Sequence, residues 1–474
     1  MAKYKAVENR DYDVIIVGGG GAGMAAAIEA HDAGANCIIL EADRHLGGAT
    51  GYSGGVFYAG STSVQRKKGI LNDTPRNIFD YLMTLNQWMV RPDLIWYYAN
   101  ECGPTLEWLS DIGVGFSEEY LVCSGVESIP RGHVADEGGA GIARALSDQV
   151  AVRNIETVLS CRVESLIFDD GKVVGVRAQG HDLYASSVIV TTGGFGNNKE
   201  MIKRLYPSAW HEGWTWAVHR DNPYILGDGI TMGEQVGAKV VGFNTGLTLP
   251  TSGFMQALEP WLPPWIMAVN KEGVRFMSEL SPYSVCGYMI EAQTERRCWA
   301  IFDEIALVEA SMDTRYLDPY GSGTTIPTWE EPYIRQKLAE GRVHTADSVA
   351  ELSEKVGIDR ISLEQSIAAY NESCDAGEDR EFFKPAPRLF SIRQAPFYAV
   401  EIRSAIIGNT SAGLDVDAKT RVRDVHNRCI PGLYAAGEVL GCWQGLRYGG
   451  GGMAVGGAVV FGRLAGRVAA SDGL

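Results

Sequence analysis

The 474-residue sequence predicts an α/β fold in which a parallel sheet of the nucleotide-binding type is interrupted by an inserted α+β domain. Three observations predict it. The first is a short apolar run at 13–17, followed by Gly18, Gly20 and Gly23 in G-x-G-x-x-G spacing and by helix-forming residues 24–30. The second is a change of character from about 243 to 396, where proline breaks, tryptophans and amphipathic helical patterns take over. The third is the return of the first character near the end: an apolar strand at 432–436, a glycine-rich loop and a helix at 455–470. One domain split by another accounts for this order. The expected boundaries are 1–242, 243–396 and 397–474.

A lone G-x-G-x-x-G says little in a chain with 57 glycines. Its weight comes from its setting: a strand before it, a helix after it, and an acid, Glu41, closing a second strand at 37–40. Gly18 allows the tight turn. Gly20 and Gly21 let backbone N–H groups approach a pyrophosphate, and Ala22 and Gly23 let helix pack on strand. The helix N-terminus then faces phosphate charge. Glu41, with Ala42 beside it, would accept hydrogen bonds from ribose hydroxyls. Residues 46–60, LGGATGYSGGVFYAG, are too glycine-rich for a regular element and are expected to be a loop close to a flat or charged group. Its candidate contacts are Gly47, Gly48, Ala49, Thr50, Ser53, Gly54 and Gly55. Strands follow around 163–177, starting at the candidate contact Val163, with a hairpin turn at Asp169-Asp170-Gly171. A buried strand at 188–192 runs into Gly193 and Gly194, which join Thr192 as candidates. A helix at 230–236 is capped by Gly237.

Composition narrows the partners. The chain has 58 acidic and 42 basic residues, a formal net charge of −16, which argues against nucleic acid. Nine cysteines show no CxxC pair, haem motif or zinc spacing, which fits free thiols in a reducing compartment. The opening MAKYKAVENRDYDV lacks an apolar signal core, and no apolar run reaches the roughly 18–20 residues of a membrane helix. The expectation is a cytoplasmic protein with no stable membrane span. With no built-in haem or iron–sulfur relay, electrons would leave through an external electron acceptor.

Seven blocks, VIIVGGGGAGMAAAIEA, LEADRHLGGATGYSGG, VIVTTGGFGNN, GDGITMGEQVGA, VNKEGVRFMSE, TSAGLDVDAKTRV and PGLYAAGEV, together resemble the fumarate reductase/succinate dehydrogenase flavoprotein superfamily, which binds FAD. They span nearly the whole chain in the family's order. The resemblance implies a Rossmann-like FAD-binding domain with an inserted α+β capping (substrate) domain, and an active site at the domain interface. It implies that Glu438, after Gly437, holds the flavin's ribityl side, with Met453, Ala454 and Val455 also at the cofactor. Some members link FAD to a histidine after the second strand. His45 is not in that context, so FAD is expected to be non-covalent.

The sequence departs from fumarate reductases where their catalytic groups should lie. After Arg275-Phe276 and Glu279 comes Leu280-Ser281-Pro282-Tyr283, with no arginine, Leu307 stands near the position of the acid arginine, and Asn409 rather than histidine precedes Thr410. RFMSELSPY instead resembles the R-F-x-N-E-x-x-P-Y block of 3-ketosteroid Δ1-dehydrogenases, and YGGGGMAVGGAVVFG resembles their C-terminal block. That resemblance implies Tyr283 as catalytic base and Tyr448 with Gly452 as the carbonyl-binding pair. It also implies a tyrosine from the N-terminal half, for which Tyr120 is the candidate.

The implied reaction is α,β-desaturation of a cyclic ketone, a 3-ketosteroid or a smaller alicyclic ketone. An α-proton leaves to the base and a β-hydride to the flavin. A ketone α-hydrogen is too weakly acidic for a phenolate of pKa about 10. Two donors, the Tyr448 hydroxyl and the Gly452 N–H, would stabilise the charge building on the carbonyl oxygen. Arg447 could bind a substrate carboxylate, as in an oxocyclohexanecarboxylate, or make a salt bridge or reach the pyrophosphate. Arg131 and His133, in IPRGHV, are either at the flavin or substrate or in a surface loop. The tryptophans around 210–216, 261–265 and 443 line an apolar pocket, fill the core, or form a membrane-touching patch at PWLPPW. Two other readings stay open: a reductase of an activated C=C bond, and a non-catalytic FAD-binding protein.

Overall fold

Val14, Ile15 and Ile16 are fully buried at the centre of β1 (Tyr12–Val17), as a strand covered on both faces requires. The computed structural model describes residues 10–259, 261–313, 327–441 and 443–473. The opening residues 1–9 lie outside that set. The chain forms two compact units. Unit 1 comprises Met1–Pro207, His219–Leu247 and Asn409–Leu474; unit 2 comprises Ser208–Val218 and Thr248–Gly408.

In unit 1, β1 lies between β2 (Cys37–Leu40) and His181–Val190, both parallel to it. Glu156–Val158 extends the sheet beyond β2, and Cys429–Ala435 pairs in parallel with the end of His181–Val190. The expected return of the chain near its end is thus a strand added to the first sheet. The hairpin Val163–Asp169 and Lys172–Ala178 turns at Asp170 and Gly171, both with φ positive, which suits a tight two-residue turn.

The helix α1 (Gly21–Asp32) packs on the long helix Met453–Gly473. The contact is between backbones: a Cβ at Gly462 would sit 2.3 Å from the Ala22 carbonyl oxygen, and one at Gly466 2.2 Å from that of Ala26. This explains why the last helix is rich in glycine and alanine. The same composition makes it long and apolar enough to cross a membrane, contrary to the expectation that no segment would be. Burial answers the test differently, since most of the helix lies inside unit 1, against α1.

The expected loop at 46–60 contains regular structure. Gly48–Tyr52 is a short helix and Val56–Tyr58 a strand. The strand pairs with Gly132–Ala135, which also pairs with Phe116–Val122. Its hydrogen-bond partners lie more than seventy residues away, so local composition concealed it.

Unit 2 is built on the 14-residue strand Phe397–Thr410, which pairs antiparallel with Arg297–Asp303 and His344–Ala346 and parallel with Trp216–Ala217. Side chains alternate between two apolar clusters. Ala300, Phe302, Tyr398 and Val400 enter one with Trp265, Trp329 and Leu307; Trp299, Ile301, Phe397 and Ala399 enter the other with Leu363 and Tyr370. Trp261 and Trp265 are core residues, so PWLPPW offers no aromatic patch through them. The units change at 207/208, 218/219, 247/248 and 408/409, and most of Phe397–Thr410 is bonded into the sheet of unit 2. Arg275 and Glu279, from the RFMSE block, join Lys384 and Asp379 in a buried ion cluster of that unit.

Candidate active site

Unit 1 has a cleft of about 610 Å3 at the C-terminal ends of its central strands. Nine expected cofactor contacts line it: Gly18, Gly20, Glu41, Ala42, Gly48, Ala49, Val163, Thr192 and Gly193. Its geometry fits a dinucleotide. Gly18 has φ 104°, and a Cβ at Gly23 would fall 1.8 Å from the Gly18 oxygen, so turn and helix meet only through glycine. At Gly20 a Cβ would find no protein atom closer than 3.9 Å, leaving room for a ligand. The first N–H groups of α1 have no carbonyl partner within the helix and suit an anion.

Glu41 is buried at the end of β2. Its carboxylate accepts the Gly19 N–H and, at 2.7 Å, the Asp43 N–H. Burial pushes its pKa up while these N–H groups pull it down. A carboxylate has acceptor capacity left for a hydroxyl. Arg162, which the sequence did not single out, also lines the cleft and is bidentate to Asp228 at 2.8 Å.

The other cofactor candidates of unit 1 are placed as follows. Gly21, Ala22 and Gly23 are buried in the first turn of α1. Gly47 donates its N–H to the Gly19 oxygen, and Thr50 packs against Gly21. Ser53 bonds the Thr50 oxygen and receives the Gly55 N–H, with Gly54 exposed between them. Gly437 has φ 80°. Glu438 accepts the N–H and hydroxyl of Thr410 at 2.7 and 2.9 Å, and a Cβ at Gly194 would strike its carboxylate. His45 is exposed. Among the described residues of unit 1, the buried polar atoms without a hydrogen-bond partner include His219 Nε2, Thr245 Oγ1 and Asn409 Oδ1.

Tyr448 is buried before the last helix, and its hydroxyl oxygen accepts the Ala454 N–H at 2.9 Å. Burial pushes its pKa well up, opposed by the N–H groups of Ala454, Gly452 and Met453, which face its oxygen. The phenol is therefore neutral at pH 7. The structure thus brings Tyr448 and Gly452 together, with Met453 and Ala454 beside them and Val455 in the helix's first turn. Gly452 has φ 98°, and a Cβ there would be 2.6 Å from Tyr58 N. Glycine is required there by the neighbouring strand. Arg447 is half-buried; Asn86 holds its backbone N–H at 2.8 Å and its carbonyl at 3.2 Å.

Tyr120 is 44% exposed on Phe116–Val122. The N-terminal-half tyrosines seen against the glycine loop 449–452 are Tyr81, whose hydroxyl donates to the Gly449 oxygen at 2.5 Å, and Tyr58. Nothing local marked either one. Arg131 and His133 are not in a surface loop. Both are buried, Arg131 bidentate to Asp73 and bonded to the Tyr58 hydroxyl, His133 bonded to Thr62. Burial lowers the His133 pKa to about 4. In unit 2, Tyr283 is half-buried at the first position of the helix Tyr283–Glu291. Among the described residues no group of His, Cys, Asp and Glu could hold a metal ion.

Fold and cleft together define a flavoprotein oxidoreductase. The chain belongs to the FAD-binding-domain family, whose model matches residues 13–454, within the fumarate reductase/succinate dehydrogenase superfamily. It is 30% identical over 471 residues to the fumarate reductase (cytochrome) of Shewanella frigidimarina, covering 97% of this chain and 77% of that protein. It is 28% identical over 475 residues to the urocanate reductase of Eggerthella lenta, covering 97% and 75%. Its fold matches the crystal structure of a 3-ketosteroid Δ4-(5α)-dehydrogenase from Rhodococcus jostii RHA1, in complex with 4-androstene-3,17-dione, with TM-score 0.79, 26% identity and 98% of each chain covered.

Proposed function

We propose that the protein is a dehydrogenase that introduces a C=C bond next to the carbonyl of a cyclic ketone. The observation that carries this reading is the nearness of the neutral Tyr448 hydroxyl to the Gly452 N–H in unit 1. Two such donors stabilise the negative charge that develops on a carbonyl oxygen when its α-carbon loses a proton. FAD, when bound, supplies the two-electron acceptor for the β-hydride. Tyr283 is the proposed base, on the resemblance of RFMSELSPY, and an external acceptor takes the electrons onward. The cofactor-binding roles of the glycine turn, Glu41 and Glu438, and the catalytic roles of Tyr448, Gly452, Tyr283 and Tyr120, are part of this proposal.

A second reading runs the same step in reverse, as reduction of an activated C=C bond. The two curated relatives above are reductases, which favours it. Arg447, next to Tyr448, would then bind a substrate carboxylate. Fumarate itself is a poor candidate, since Leu307 is fully buried in the core of unit 2 and offers no acid.

One experiment separates the directions. Oxidised holoenzyme is mixed anaerobically with steroids, cyclohexanones and oxocyclohexanecarboxylates while the visible flavin band is followed. Bleaching by a saturated ketone is expected. If only enones or enoates reoxidise the reduced enzyme, the reductase reading replaces the dehydrogenase. Tyr448→Phe should keep FAD and slow the reaction by about 100- to 1,000-fold, the scale of one lost oxyanion donor. Near-normal turnover in that variant would remove Tyr448 from the mechanism. FAD is proposed to be non-covalent, so acid precipitation should leave all yellow colour in the supernatant; colour in the pellet would overturn this. The cytoplasmic assignment is likewise a proposal, resting on the cysteines, of which the eight described are free thiols.

A further inference from the structure

Behind the glycine loop of unit 1 lies a polar cluster that the reaction as described does not use. Glu127 is buried, and its carboxyl accepts the Ser124 N–H at 3.0 Å. The Tyr81 hydroxyl lies 3.2 Å from its other oxygen. Both of these partners also hold the loop. Tyr81 donates to the Gly449 carbonyl at 2.5 Å, and Ser124 Oγ accepts the Gly451 N–H at 2.6 Å. Space around the loop is closed as well: a Cβ at Gly450 would be 2.8 Å from the Tyr58 ring and 3.0 Å from Glu127 Oε1. The loop is therefore gripped at a carbonyl and at an N–H, two residues apart, by the side chains of two residues that bond one carboxyl group, Tyr81 through its hydroxyl and Ser124 through its backbone N–H.

We propose that Glu127 is a positioning residue: through Tyr81 and Ser124 it sets the backbone of 449–451, and so aims the Tyr448 hydroxyl and the Gly452 N–H at the substrate carbonyl. The inference rests on the carbonyl-holding reading of that pair. The charges around Glu127 fit the role. Arg131, whose guanidinium lies over the Tyr81 ring, is committed to Asp73 by a bidentate ion pair, and Tyr58 is bonded to Arg131. Tyr81 has one hydrogen for two acceptors, and its shorter contact is with Gly449. Burial raises the Glu127 pKa, against the pull of the N–H groups of Glu127, Ser124 and Gly125 and of the Tyr81 hydroxyl.

The test uses 4-nitrophenolate, an oxyanion that two converging donors would hold, titrated into oxidised holoenzyme and followed by absorbance. Wild type should bind it, and Tyr448→Phe should weaken binding by about 10-fold, the loss of one net hydrogen bond to a charged group. Glu127→Ala and Tyr81→Phe should each weaken binding by about 10-fold while retaining FAD. In a Tyr448→Phe background, Glu127→Ala should add less than about twofold, because the two act through one unit. If Glu127→Ala, Tyr81→Phe and Ser124→Ala all bind like wild type while Tyr448→Phe does not, the positioning role is overturned and the carbonyl reading stands. Equal losses from Glu127→Ala in both backgrounds mean a merely structural residue and also overturn it. If wild type does not bind the probe, or Tyr448→Phe binds it equally well, the carbonyl reading itself fails. Should Glu127→Ala not fold, the milder Tyr81→Phe and Ser124→Ala carry the same comparison.

Discussion

The two units are held together internally by opposite means. Unit 1 brings backbone against backbone through small residues: Gly462 and Gly466 on α1, Gly23 on the turn at Gly18, Gly452 on the strand Val56–Tyr58. Unit 2 fills its interior with large rings, such as Trp265 against Phe302 at 5.1 Å, and buries a cluster of two cations and two anions. The difference follows from what each unit contains. A nucleotide cleft needs N–H groups presented without side chains in the way. A sheet covered by helices on two apolar clusters needs volume and fixed register.

The largest effect should come from breaking the charge cluster of unit 2. Lys384 is fully buried, 3.1 Å from Glu279 and bonded to the Ile266 carbonyl and the Tyr370 hydroxyl. Lys384 and Arg275 together hold the Glu279 pKa below the usual range. Lys384→Met leaves one anion in excess in a dry site and should cost about 3–5 kcal/mol, read as a lower denaturation midpoint. A midpoint like that of wild type would mean that packing alone holds unit 2.

The next effect belongs to unit 1 and is a pH dependence. His133 is neutral in the fold down to about 4, against 6.5 for an ordinary histidine. Between these values the unfolded chain binds a proton that the folded chain does not. Stability from this residue is thus fully present above about pH 6.5 and is lost as pH falls toward 4. At roughly 1.4 kcal/mol per pH unit, the loss is about 3 kcal/mol. Urea unfolding at pH 7 and pH 4.5 should show it, and His133→Gln should flatten that part of the profile.

The smallest effect should be Gly466→Ala. The added methyl must displace the Ala26 carbonyl, at a cost of about 1–3 kcal/mol, even though alanine favours a helix. Because α1 carries the glycine turn, FAD retention should fall along with the melting temperature. A stabilised variant with full FAD content would show that the helix contact yields easily, and would weaken the contrast between the units.

Legibility followed distance along the chain. The turn at Gly18–Gly23, β1, β2, the hairpin at Asp170-Gly171 and the terminal helix each announce themselves within a few residues, through period and glycine placement. The strand Val56–Tyr58 did not, because its partner is Gly132–Ala135. Tyr81 did not either: its bond to Gly449 spans 368 positions, and in its own helix it reads as one more amphipathic residue. The burial of Arg131 and His133 depends on Asp73 and Thr62, which no local pattern links to them.

By itself, then, the sequence determined the dinucleotide turn, the acid that follows it, the split parallel domain and the Tyr448–Gly452 spacing, since each is set by bonds and periodicities within a short stretch. Only the tertiary structure decided which polar groups became neutral, paired or buried. It seated His133 without charge, tied Arg131 to Asp73, and set Glu127 behind the glycine loop. The physical reason is that desolvation and hydrogen bonding depend on what surrounds a group in space, and those surroundings come from residues tens to hundreds of positions away.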